Sequence, residues 1–216
     1  MSGTALDWRA RLTRELRAAG RLTVLGVGNP DRGDDGAGSR CVRRLARALG
    51  ASPLLFRGGL ASDTEGQTPA RRARPGESPR GPFLAKLERV QVLDGREAPE
   101  SLTGPIRRFR PSHVLIVDAV SAGNPPGTVF FVDPSAIPED DLSTHRIPLS
   151  HLVRYLEETV GCRVLLLGIE PKNMGEGKGL TRPVSRAAAD LADALAGWMR
   201  PQRAPALTTR TPSGTL

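Results

Sequence analysis

The run Val114-Leu115-Ile116-Val117, led by His113 and stopped by Asp118, constrains this chain most. Successive side chains of a strand point to opposite faces, so a strand of this composition must be covered on both sides. Arg21–Val27 and Val164–Ile169 read the same way, and Arg89–Leu93 and Thr128–Val132 are two further strands. Between them lie stretches of helical spacing. Val42, Leu45 and Leu49 mark a helix over Ala37–Leu49, with Gly50 as its stop; two more cover Pro148–Val160 and Pro183–Met199. Strands alternating with helices predict an α/β fold, a three-layer sandwich about a mostly parallel, roughly five-stranded central sheet. Residues 100–109 form a helical patch that Gly104-Pro105 is expected to interrupt.

The 216 residues suit one domain. Residues 1–20 read as an N-terminal amphipathic helix extension, with Trp8, Leu12, Leu16 and Ala19 on one stripe among arginines. Residues 21–200 form the α/β domain, and 201–216 a flexible tail. The segment 51–82 is rich in Pro, Gly, Arg and Ser and lacks periodicity, which marks it as an insertion. No apolar run reaches membrane-spanning length, and the N-terminus lacks the apolar core of a signal peptide, so a cytoplasmic protein without membrane insertion is expected. Cys41 and Cys162 show no metal-ligand spacing and read as buried thiols of a reducing compartment.

The net charge of +8 would suit nucleic acid if it were concentrated on the working domain. Instead 1–23 and 51–89 carry +3 each and 197–216 another +3, which leaves −1 for the rest. The basicity is peripheral, and no nucleic-acid partner is expected.

In open α/β sheets, ligands bind beyond the carboxyl ends of the strands. The first strand leads into Val27-Gly28-Asn29-Pro30-Asp31-Arg32-Gly33-Asp34-Asp35-Gly36-Ala37-Gly38; the second ends at Asp94, the third at Asp118 and the last at Glu170. His145 precedes a helix that a loop would return to the same edge. Carboxylates crowded at one rim repel each other unless a cation offsets them. Two carboxylates and an imidazole suit a divalent transition metal. Each acid also has a structural reading: Asp35 as a helix cap, Asp118 as a strand-closing turn residue, Asp94-Gly95 as a turn dipeptide, His145 as a cap. His113 and His151 fall outside the set. Gly26-Val27-Gly28 opens like a dinucleotide fingerprint, but acids follow where the third glycine belongs, and they would repel a pyrophosphate.

The elements "GVGNPDRGDDGAG", "VLDGREAPE", "HVLIVDAVSAGNPPGTVFFVDP", "STHRIPLSHLVRYL" and "LLLGIEPKNMGEGKGLTRPVSRA" occur in that order. Over 24–49 and 88–199 the chain resembles the [NiFe]-hydrogenase maturation proteases, most closely the branch serving formate-hydrogenlyase (hydrogenase 3) enzymes. The resemblance implies a phosphorylase/hydrolase-like fold and an aspartate/metal-dependent endopeptidase. Its substrate would be a hydrogenase large-subunit precursor, trimmed of a C-terminal extension after nickel insertion. It matches the family's metal-contacting triad to Asp35, Asp118 and His145, which would recognise nickel supplied by the precursor, with no organic cofactor. Asp94 matches a further acidic position, and Asp35 and Asp94 are the candidate catalytic carboxylates. A monomer is implied. Arg96 departs from the small residue usual after Asp-Gly. Two alternatives stand beside this reading. One is a peptidyl-tRNA hydrolase-like esterase, although "DRGDDGAGSR", residues 31–40, holds neither the histidine nor the asparagine that chemistry uses. The other is a non-hydrolytic nickel- or precursor-binding chaperone.

Overall fold

The computed structural model describes residues 8–51, 54–55, 71–72, 83–134, 148–177 and 179–199. In chain order the elements are α1 (Trp8–Leu16), β1 (Leu22–Val27), α2 (Ala37–Ala48), β2 (Leu54–Leu55), β3 (Arg71–Arg72), β4 (Phe83–Lys86), β5 (Val90–Arg96), α3 (Thr103–Phe109), β6 (His113–Ala119), β7 (Val129–Val132), α4 (Leu149–Val160), β8 (Arg163–Ile169) and α5 (Arg182–Met199). Short 3₁₀ turns at Gly33–Gly36 and Pro99–Leu102 lead into α2 and α3.

All strands join one sheet in the order β3-β2-β4-β5-β1-β6-β8-β7. The centre, β5-β1-β6-β8, is parallel; β7 runs antiparallel to β8, and β4 antiparallel to β5. The five strands expected from the sequence are therefore present in a mostly parallel arrangement. The sheet is wider than that because 54–55, 71–72 and 83–86 extend it beyond β5. The rest of the 51–82 segment and the 201–216 tail lie outside the described residues.

Strand alternation divides the core in two. Val24, Val92, Leu115, Val117, Leu165 and Leu167 pack with α1, α2 and α5. Leu25, Val27, Leu93, Ile116 and Leu166 pack with α3 and α4 on the other face. This is the three-layer sandwich that the doubly apolar strands demanded. The predicted stripe on α1 is real, and Leu12 and Leu16 are buried in the first of these clusters. Gly104-Pro105 does not break a helix as expected: both sit in the first turn of α3, whose leading N–H groups have no helical partner to lose. Asp94-Gly95 likewise belongs to β5 rather than to a turn.

Both cysteines are buried free thiols. Burial pushes Cys41 up to about 12 and Cys162 up to about 11, so neither is a ready nucleophile. No helix among the described residues is long and apolar enough to cross a membrane.

Candidate functional site

The chain leaves β1 toward β5 on one side and β6 on the other, so β1 and β6 flank the point where strand order reverses. Crevices at such points, beyond the carboxyl ends, are where α/β sheets bind ligands. The loop after β1 fills this rim under tight steric rules. Gly28 has φ +111, and a Cβ there would stand 1.8 Å from the Asp35 carbonyl oxygen and 3.5 Å from Asp118 Oδ1. Gly38 lets α2 lie directly on the sheet, since its Cβ would fall 2.0 Å from the Val117 carbonyl. The loop glycines thus serve close approach of backbone to backbone, and Gly28 borders both the Asp35 main chain and the Asp118 carboxylate.

Asp35 enters on the 3₁₀ turn and is buried, its Oδ2 accepting the Asn29 backbone N–H at 3.1 Å. Asp118 is half-buried near the end of β6, with Oδ1 accepting the Ala119 N–H at 2.8 Å. His145, the third member of the expected set, lies outside the described residues. No cluster of three or more potential metal-ligating side chains is formed by the described residues on their own. His113 begins β6, at the far end from Asp118.

Asp94 is different. It has no exposed surface and turns toward α2, where Arg43 Nη2 lies 2.6 Å from its Oδ2. The Arg43 guanidinium and the buried Ser39 hydroxyl are its polar neighbours there, and the Arg43 charge offsets that of the carboxylate. Arg43 Nε also donates to Ser39 Oγ at 3.3 Å. Burial raises the Asp94 pKa, against the pull of Arg43 and Ser39; burial also lowers that of Arg43, against Asp94. The sequence reading missed Arg43 and Ser39. The available signal was spacing: Asp35, Ser39 and Arg43 recur every four residues from the 3₁₀ turn into α2.

Two other rim acids are structural. Asp34, fully buried, accepts the N–H groups of Lys172 (2.9 Å), Asn173 (3.0 Å) and Thr181 (2.6 Å) and the Thr181 hydroxyl (2.9 Å). Burial alone would push its pKa up, but these donors outweigh it and hold the carboxyl below its ordinary value. Glu170 accepts from the N–H groups of Ala122 and Gly123 and from the Asn124 amide, tying down the loop that follows Asp118.

The chain as a whole is similar to known proteins. The model of the HycI family, hydrogenase maturation protease, matches residues 83–198. The hydrogenase 3 maturation protease of Escherichia coli K12 is 32% identical over 176 residues, spanning 81% of this chain and 88% of that protein. The crystal structure of a [NiFe] hydrogenase maturation protease HycI from Thermococcus kodakarensis superposes with a TM-score of 0.65 at 26% identity, covering 87% of this chain and 97% of the other. A crystal structure of a hydrogenase 3 maturation protease gives 0.58 at 30% identity, with 82% and 90% covered.

Proposed function

The chain belongs to the hydrogenase maturation proteases, and from that premise we propose that it removes the C-terminal extension of a [NiFe]-hydrogenase large-subunit precursor once nickel is in place. The observation that carries this is the rim itself, where Asp35 follows β1, Asp118 stands near the carboxyl end of β6, and both border Gly28. His145 stands three residues before Pro148, the N-cap of α4, and would complete the set. Two carboxylates and an imidazole form a donor set suited to a divalent first-row metal. Nickel belongs to the substrate in this reading, and no resident cofactor is invoked. The tRNA-esterase alternative is not favoured by any feature of the rim.

Recognition of the precursor's nickel would hold the scissile peptide against the rim. Water adds across the C–N bond, with hydroxide going to the carbonyl carbon and a proton to the leaving nitrogen. Asp35, fixed by the Asn29 N–H, is the group we assign to accept the proton from the attacking water. Asp94, expected to share in the chemistry, is enclosed by α2 and paired with Arg43. We therefore assign it a positioning role at the end of β5. The enzyme is read as an aspartate/metal-dependent endopeptidase, a cytoplasmic monomer.

The test is to incubate the protein with nickel-loaded and nickel-free precursor and to weigh the products. Loss of the extension from the loaded form alone supports the proposal. Binding without any loss of mass would overturn it in favour of a chaperone.

A further inference from the structure

Arg96 occupies a left-handed backbone conformation at a bulge between β1 and β5. Two non-glycine residues among those described have positive φ. Arg110, at φ 51, closes α3, where a left-handed cap is ordinary. Arg96, at φ 49, caps no helix. It sits at a bulge where the β1 register jumps from Gly26 opposite Asp94 to Val27 opposite Arg96. A bulge bends its strand and re-aims the side chains beside it. Glycine would adopt this conformation freely, so an arginine is held here against backbone preference.

The bulge aims Arg96 at the rim already described. Its carbonyl accepts the Gly28 N–H at 2.8 Å, and Gly28 is the residue wedged between Asp35 and Asp118. Its Nη2 lies 3.4 Å from Asp31 Oδ2, and the Asp31 side chain is 61% exposed. The next residue, Glu97, meets the Asn29 side chain, so consecutive residues of β5's end reach across to the acidic loop. The Arg96 side chain is 19% exposed, so the pair opens to solvent on its Asp31 side. A guanidinium can exchange one carboxylate for another, because its paired N–H edges match any carboxylate. A peptide bearing carboxylates meets like charge from Asp31, Asp35 and Asp118 here, and Arg96 offers a compensating cation.

We infer that Arg96 binds a carboxylate of the peptide extension cleaved at this site, displacing Asp31, and so makes the enzyme selective for extensions with an acidic side chain or chain end near the cut. The inference rests on the protease reading above. Its test is steady-state cleavage of nickel-loaded precursor by wild type, Arg96→Gly and Arg96→Lys, with thermal unfolding of each. Arg96→Gly should raise KM about tenfold with kcat within about twofold. Its Tm should hold or rise by about 2–4 °C, because the strained conformation now suits its residue. Arg96→Lys should fall between. One precursor with the acidic side chains of its extension converted to amides, and another with an amidated chain end, identify which carboxylate is bound. The penalty of Arg96→Gly should vanish on that substrate. An unchanged KM in Arg96→Gly, or a KM rise accompanied by a lower Tm, overturns the inference while leaving the protease reading intact. Failure of the wild type to cleave any loaded precursor overturns both.

Discussion

At the scale of single residues, neighbours decide what each rim carboxylate can do. Asp34 is adjacent in sequence to Asp35, yet its four donors come from 172–181, more than 130 residues away. No local pattern could reveal that, whereas the positions of Asp35 after β1 and Asp118 near the end of β6 were legible because strand ends are predictable. Asp34→Asn keeps the shape but turns an amide toward backbone N–H groups, and should destabilise the fold by about 2–3 kcal/mol at pH 7. The folded pKa of Asp34 is depressed, so its contribution is present above the unfolded value near 4 and lost as pH falls through the folded one. Urea unfolding should therefore separate the variant from wild type at pH 7 and bring the two together as pH drops well below 4; an equal gap at both ends would contradict the assignment. Asp94 gives a second case. Asp94→Asn strands the Arg43 cation in the interior and should cost about 3–5 kcal/mol. Arg43→Met with Asp94→Leu removes both charges and should recover most of that loss. If Asp94 only positions β5, the double variant still trims precursor; a folded double variant without activity would return Asp94 to the chemistry.

Among the elements, the parallel strands were readable because each is apolar on both faces, and such a run has few other folded solutions. The strands beyond β5 were not. β2 and β3 have two residues each, too short for any alternation to register, and they follow a composition that signals only irregular chain. They pair antiparallel, Leu54 with Arg72 and Leu55 with Arg71, at the margin of the sheet farthest from β8. β5, β4 and β2 stand between β3 and the β1–β6 rim. Replacing 56–70 with a short turn between these strands should leave both the Tm and precursor cleavage unchanged. A shortened protein that folds but no longer cleaves would mean that this segment docks the precursor.

The molecule as a whole is a two-sided core whose strand order reverses between β1 and β6, and the proposed chemistry belongs to that rim. The sequence located that rim from strand ends alone. It did not foresee the buried Arg43–Asp94 pair or the loop clasps of Asp34 and Glu170, because these depend on how α2 and the 170–181 loop settle on the sheet. Surface ion pairs illustrate the same scale: Arg44 pairs with Asp193 and Arg163 with Glu15, joining helices to each other and to the sheet. The central claim is that Asp35 and Asp118 act together on a nickel-bearing precursor. Its most direct test is the intact mass of nickel-loaded precursor after incubation with wild type, Asp35→Asn and Asp118→Asn, each variant first shown to unfold cooperatively like the parent. The account predicts a trimmed precursor with wild type and full-length precursor with both variants. Complete trimming by either folded variant would contradict it.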